Sequence, residues 1–578
     1  MAMTGAVVTR VNGPVVEVST PDGLGMLDLV RVGPHALPGE VIALQRGGAT
    51  VQVYEYTGGL KPGDEVMTTA APLTVELGPG LLGGVFDGVL RRLGSAGPRI
   101  EAGGAVGTLV ADRAWDFTPV TKAGNELAGG ALLGSVRESA AIEHGVLVPP
   151  EIHGVLDWIA PEGQYRVGEV IARLGSSELR LSQRWPVRRP RPVHARLPAA
   201  GPLVTGQRVL DLLFPIARGS TAAIPGGFGT GKTVVLQQIA KWCDAAVIVY
   251  VGCGERGNEL ADVLEEFESL EDPRTGQPLL DRTVLIANTS NMPVMAREAS
   301  IYTGVTVAEY YRDMGHDAVV IADSTSRWAE ALRELASRTD ELPAEEGYPA
   351  GLSSALADFY ERAGRVETLG GEVASASILG AVSPPGGDLT EPVTSHTRRF
   401  VRSVWSLDRD LAYARHYPAV SWHDSSSRDA EQLSVWQAEH GDPDWGARRA
   451  RALALLTDAD RIESIAQLVG ADSLPAQERL TLRTARLLRE AVLQQSAVLE
   501  NDQYSSPAKQ RALLALVLDV HDRLAALLAH GVSEAEIDAF DLAPALRARY
   551  DTPPDGAADV ERIGRELTSR LDALTPGS

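Results

Sequence analysis

The chain has 578 residues, 44% of them hydrophobic and 5% aromatic, with 54 Lys and Arg against 76 Asp and Glu for a net charge of -22. That length exceeds one hydrophobic core and, at roughly 150 residues per domain, points to about three or four domains. The acidic balance argues against a broad phosphate-backbone footprint, and so against nucleic acid as a partner.

Cys243 and Cys253 are the only cysteines, which excludes a disulfide framework and suits buried thiols in a reducing compartment. No apolar run reaches the roughly 18 residues of a membrane span, and the opening Met-Ala-Met-Thr-Gly lacks a charged-then-apolar signal layout. No part of the chain is expected to cross a membrane.

Taken in order, residues 1–71 carry short β-rich runs, such as Gly5 to Val18, Glu40 to Leu44 and Ala49 to Tyr56, broken by Gly, Pro and Asp. This is the pattern of a small β-barrel. Residues 72–109 read as a connector to the core, turning on Gly78-Pro79-Gly80 and then running helix-like to Leu93. Strand signals return over 110–194, with Ala131 to Val136, Gly145 to Val148, Gly154 to Ile159 and Tyr165 to Ile171, and no catalytic grouping of titratable residues. This second β-rich module is expected to serve contacts, and its end, Arg184 to Val193, reads as an extended Pro-rich connector.

The core spans 195–435. Gly226-Gly227-Phe228-Gly229-Thr230-Gly231-Lys232-Thr233 follows Ala223-Ile224-Pro225 and precedes an apolar run at helical spacing. The octapeptide fits a phosphate-binding loop: glycines let backbone N–H groups curl around phosphate oxygens, Lys232 reaches the terminal phosphates, and Thr233 can hold Mg²⁺. Phosphates would also meet the positive end of the helix that follows. Ala245 to Val251 and Asp317 to Asp323 are continuous apolar runs of the kind buried in a parallel sheet. The first leads into Gly252-Cys253-Gly254-Glu255-Arg256-Gly257, and the second ends in Asp323, the form expected of an acid that supports Mg²⁺.

Beyond 436 the spacing of Ile462, Ile465, Leu468 and Val469, of Leu480, Leu487, Leu488 and Ala491, and of Leu513, Leu516, Val517 and Val520 predicts a helical bundle. A last amphipathic stretch, Val560 to Leu574, is expected to dock loosely.

Phosphoryl transfer to water needs a phosphate cradle, a metal holder, a group that activates water and a cation for the transition state. Lys232 serves the first, and Thr233 with Asp323 the second. Glu255, closing its strand beside the phosphate loop, is the best carboxylate for the third. Arg256 either clamps the terminal phosphate or pairs with a neighbouring acid. Tyr417 either offers a nucleotide base a flat face or is a half-buried core tyrosine. His396, His416 and His423 lie at no metal-ligand spacing and read as structural.

These motifs together resemble the catalytic A subunit of the rotary V-type and A-type ATPases. The resemblance runs through Val11 to Val16, Glu76 to Leu82, Gly252 to Glu259, Asn288 to Pro293, Ala322 to Glu330, Pro343 to Pro349 and Val382 to Asp388. It implies a multidomain fold of N-terminal β-barrel, β-rich bulge module over 110–194, RecA-like α/β P-loop core and C-terminal helical bundle. It further implies ATP or ADP with Mg²⁺ at the site, phosphate binding by Gly226 to Thr233, water activation by Glu255, a terminal-phosphate contact from Arg256 and an adenine pocket at Tyr417. The partners implied are B-type subunits alternating in a hetero-hexamer and donating an arginine to the site, central and peripheral stalk subunits, and a membrane sector moving protons or sodium ions. Such a subunit lies on the cytoplasmic face of the cell membrane.

Against the family pattern, Gln495-Ser496-Ala497-Val498 lacks a Phe at its end, which implies weaker stacking there. Thr230 replaces the phosphate-loop Cys of eukaryotic members, so their redox switch is not expected. The stretches Ser425 to Arg428 and Asn501 to Ser506 also differ, which bears on subunit contacts.

Overall fold

The computed structural model describes residues 2–19, 24–93, 107–272, 275–338, 342–470 and 473–574. Residues 94–106 of the expected connector lie outside the described residues.

The N-terminal runs close into a barrel in the order Ala2–Asn12, Val15–Ser19, Gly48–Val53, Leu37–Gln45, Asp28–Val32 and Glu65–Pro72. Alternation turns Val8, Val16, Val30, Val41 and Val51 inward as its core. The β-rich module after residue 107 forms two four-stranded antiparallel sheets, one centred on Gly154–Ile159 and Val170–Leu174, the other on Leu132–Arg137 and Ala114–Pro119.

The connector departs from expectation. In place of a helix-like stretch, Val85–Phe86 pairs parallel with Leu285 and Ile286 and becomes an edge strand of the core sheet. Glycine explains this: Gly83, Gly84 and Gly88 weaken any helix. A Cβ on Gly88 would lie 1.9 Å from the Ala296 carbonyl oxygen, so only glycine permits that approach.

The extended stretch near residue 190 is tied into both modules. Gln183–Pro186 pairs with Thr74–Leu77. Arg188 then donates to Glu40 of the barrel at 3.0 Å and to Glu298 of the core at 2.9 Å. Arg191, buried, donates to Asp313 at 2.5 Å. These arginines act as internal struts between modules.

The core is a ten-stranded sheet whose central strands run parallel, ordered Thr221–Pro225, Val373–Val382, Ala318–Asp323, Val247–Glu255, Thr283–Thr289. Residues 247–254 and 318–323 are all buried, as their unbroken apolar character requires. Helices Lys232–Trp242 and Val294–Asp313 pack against the sheet, the latter buried almost throughout.

The C-terminal part is helical: Trp445–Val469, Ala476–Leu488, Pro507–Ala529, Glu534–Asp538, Ala543–Asp551 and Ala557–Asp572. Ile462, Leu480, Leu488, Leu513, Val517 and Val520 are buried as expected. Ile465 and Leu468 are not, Leu468 being 86% exposed. The final helix is also tighter than expected, since Val560, Leu567 and Leu571 are buried against Pro507–Ala529. Among the described residues no helix is long and apolar enough to cross a membrane.

Candidate active site

Parallel strands place their carboxyl ends on one edge of the sheet, where ligands of α/β folds bind. Three of those ends carry the predicted residues. Thr221–Pro225 feeds the glycine-rich loop, and Gly226 N–H donates to the Val382 carbonyl at 3.0 Å. Gly229 and Gly231 adopt φ of 80° and 84°, the left-handed region that favours glycine, and so curl the loop into helix Lys232–Trp242. Within the loop the buried Thr230 hydroxyl is turned inward and donates to the Gly227 carbonyl at 2.8 Å, while Phe228 projects at 93% exposure. Lys232 donates to the Ser383 hydroxyl, and Thr233 is exposed on the first helical turn. Ser383 is itself held by its N–H donating to Ser326 Oγ at 2.8 Å.

Asp323 closes its strand level with Gly252 of the neighbouring strand. It is buried, and burial raises its pKa above the ordinary value against the pull of Lys232, Tyr250 and Thr233. The Tyr250 hydroxyl donates to Asp323 Oδ2 at 3.2 Å. Oδ1 has no hydrogen-bond partner among the described residues. A buried carboxylate oxygen left unsatisfied by protein, beside a hydroxyl and an ammonium, fits a hard divalent cation with bound phosphate.

Glu255 ends strand Val247–Glu255 after a register shift at Gly254. Gly254 has φ of 73°, and a Cβ there would stand 2.8 Å from Arg327 Cβ. Burial, then the negative charge of Asp323, push the Glu255 carboxyl up to about 7, with Lys232 opposing. A carboxyl poised near neutrality can take and release a proton at working pH.

Arg256 stands at the N-cap of helix Gly257–Ser269, 72% exposed, with Glu259 at 3.8 Å. An exposed pair at that distance contributes little. Its guanidinium is therefore available to a ligand.

The other end of the cleft is a cavity of about 420 Å³ running from the start of the phosphate-loop helix toward the C-terminal helices. Tyr417 is one wall, 42% exposed and close enough to Gly231 that a Cβ there would touch its ring at 3.4 Å. It is thus a cavity residue and not half-buried core. Val498, 89% exposed, also lines the cavity. Beside them His416 packs on Trp422, and burial followed by the charge of Arg489 pushes its ring pKa down to about 4. His423 pairs with Asp460.

The two stretches that differ from the family pattern make internal contacts. Ser425 Oγ accepts from Ser406 N–H at 3.0 Å, and the Ser427 hydroxyl donates to the Pro215 carbonyl. Asp502 is buried between Arg208 and Arg549 at 2.6 Å from each. Tyr504 stacks on Trp242 of the phosphate-loop helix.

The structure therefore brings Lys232, Thr233, Asp323 and Glu255 together, leaves Arg256 at their rim, and sets Tyr417 at the far end. Sequence reasoning missed Tyr250 and Ser383, and it did not place Arg549 at the cavity. Tyr250 carried a faint signal, a hydroxyl inside an otherwise apolar strand. Arg549 carried none, because only folding of the C-terminal helices delivers it.

Four family models match consecutive parts of the chain. They are the ATP synthase alpha/beta family beta-barrel domain over residues 8–70, the alpha/beta subunit barrel-sandwich domain over 106–188, the nucleotide-binding domain over 206–427, and the C-terminal domain of V and A type ATP synthase over 434–537. The chain is 52% identical to a V-type ATP synthase alpha chain of Nitrosococcus oceani, with 98% of each chain covered. It is 51% identical to the A subunit of the A-type ATP synthase of Thermococcus sibiricus over 92% of each, and 48% identical to that of Haloferax volcanii over 98% of each. In fold it is similar to the assembled ATPase EscN from the type III secretion system of enteropathogenic E. coli, with a TM-score of 0.63 at 20% identity, covering 89% of this chain and all of that one.

Proposed function

Since the chain belongs to the ATP synthase alpha/beta family, and within it to the V- and A-type catalytic subunits, we propose that Lys232, Thr233, Asp323, Glu255 and Arg256 divide the work of ATP hydrolysis and synthesis in this ATPase. The observation that carries this division is the convergence of a glycine loop and two carboxylates on adjacent strand ends, with Glu255 feeling both Asp323 and Lys232. The loop N–H groups and Lys232 bind the β- and γ-phosphates. Thr233 and the free oxygen of Asp323 are the groups suited to Mg²⁺, which when bound would offset negative charge on those phosphates.

In hydrolysis water adds to the γ-phosphorus as the bond to the β–γ bridging oxygen breaks, and Glu255 accepts the water proton. Synthesis reverses these transfers. Arg256 meets the equatorial charge of the phosphoryl group, and Tyr417 holds the base.

The surrounding assembly follows from the same reading. B-type subunits alternate with this chain in a hetero-hexamer and complete the site with a cation; stalk subunits and a membrane sector couple turnover to proton or sodium movement from the inner, cytoplasmic face of the membrane.

Replacing Lys232 tests the cradle. Lys232→Ala removes charge-assisted bonds to phosphate and is expected to weaken ATP affinity roughly 100-fold, measured by calorimetric titration of the full chain. Parent affinity in that variant would overturn the assignment of the phosphate end.

A further inference from the structure

We propose that Arg549, from the C-terminal helix Ala543–Asp551, is a base-contacting residue of the nucleotide cavity and supplies a flat cationic wall beside Tyr417. The proposal rests on the reading of this cleft as the ATP site and adds to it a residue that lies beyond the matched C-terminal domain, which ends at 537.

The first observation is position. Arg549 lines the same cavity as Gly231, Val234 and Tyr417, so one continuous space joins the phosphate loop to its guanidinium. Tyr417 is the sole aromatic side chain lining that space among the described residues, and the aliphatic Val498 offers no π surface.

The second observation is rigidity. Arg549 Nη1 donates to Asp502 Oδ2 at 2.6 Å and to the Gln494 carbonyl at 2.9 Å, and Nη2 donates to Gln494 Oε1 at 3.3 Å. Its own carbonyl accepts from the buried Lys509 ammonium at 2.8 Å. The guanidinium plane is therefore set before any ligand arrives, which lowers the entropy cost of a contact. Arg415 also lines the cavity, but it is exposed and its side chain makes no such set of bonds among the described residues.

The third observation is charge. Asp502, wholly buried, is the only carboxylate paired with either Arg208 or Arg549 among the described residues. Two guanidiniums share one negative charge, which leaves one positive charge in excess at the cavity wall. Burial and the proximity of Arg549 lower the pKa of Arg208, the electrostatic mark of a cation-rich cluster. The Arg549 Nε–H is buried without a partner among the described residues. A purine suits this wall, because its π face attracts a guanidinium. Phosphate does not compete for Arg549 if it is held at the glycine loop.

The test separates base from phosphate. Affinities of the full chain for ATP and for inorganic tripolyphosphate, which has no base, are measured by calorimetry for the parent, Arg549→Met, Arg549→Lys and Lys232→Ala. Arg549→Met is expected to weaken ATP about tenfold while tripolyphosphate affinity stays at the parent value. Arg549→Lys, which keeps a cation for Asp502 and hence the local packing, is expected to lose several-fold on ATP alone, since an ammonium has no flat face. Equal losses for both ligands, or unchanged ATP affinity in both Arg549 variants, would overturn the proposal. Lys232→Ala must weaken both ligands; if it weakens neither, the fault lies with the site reading and not with Arg549.

Discussion

The two ends of the cleft are built on different plans. At the phosphate end every group comes from a strand terminus or the turn after it: Gly226 to Thr233 follow Thr221–Pro225, Asp323 closes its own strand, and Glu255 closes the next. At the base end Gly231, Tyr417, Val498 and Arg549 come from segments spread over more than 300 residues of sequence, two of them in the C-terminal helical part. The phosphate end is a property of one sheet. The other end is a property of how the helical part seats on that sheet, so on the proposed function affinity for the base, unlike phosphate geometry, depends on interdomain packing.

Asp502→Ala should separate the two ends most strongly. Removing the shared carboxylate leaves Arg208 and Arg549 uncompensated in a buried site, a change that costs about 4 kcal/mol. Hydrogen exchange over Ala543–Asp551 should quicken and ATP affinity fall, while tripolyphosphate affinity holds. Loss of both affinities together would mean the two ends are not separable.

Gly254→Ala probes the opposite end. A side chain at φ of 73° with its Cβ 2.8 Å from Arg327 Cβ costs about 2 kcal/mol and displaces Glu255. Turnover should drop more than ATP affinity does. An unchanged turnover number would show that the bulge does not aim Glu255.

Acid sensitivity of the base end is a smaller matter. The His416 ring is held to about 4 when folded against 6.5 for the free group. The folded state thus binds the proton less readily, so this stabilising contribution is complete above pH 6.5 and is lost as pH falls from 6.5 toward 4. At pH 5 the loss is about 1–2 kcal/mol. Urea midpoints at pH 7 and pH 5 should differ by less in His416→Asn than in the parent, and an equal difference would remove His416 as the cause.

What the sequence revealed follows the same divide. Local chemistry was readable: glycine spacing, a lysine and a threonine at fixed offset, and acids ending two apolar strands identify the phosphate end without any tertiary knowledge. The barrel was readable from short β-rich runs broken by Gly, Pro and Asp, the parallel core from continuous apolar runs, and the helical part from periodicity. Features that depend on distant packing were not. Val85 and Phe86 read as part of a short helix despite Gly83, Gly84 and Gly88, until the core sheet takes them as an edge strand. Ile465 and Leu468 keep helical spacing although both stay on the exposed side. Arg188 and Arg191 looked like linker charges, but they brace the modules through Glu40, Glu298 and Asp313. Arg549 is the extreme case, an ordinary residue of helix Ala543–Asp551 that folding carries to the cavity beside the phosphate loop.

If Glu255 performs chemistry while the rest of the cleft performs binding, the two functions should come apart in Glu255→Gln. Single-turnover cleavage of ATP by the assembled complex carrying that substitution, run alongside ATP affinity, should show nucleotide bound with near-parent affinity and cleaved about 10³-fold more slowly. Cleavage at the parent rate would refute that division of labour.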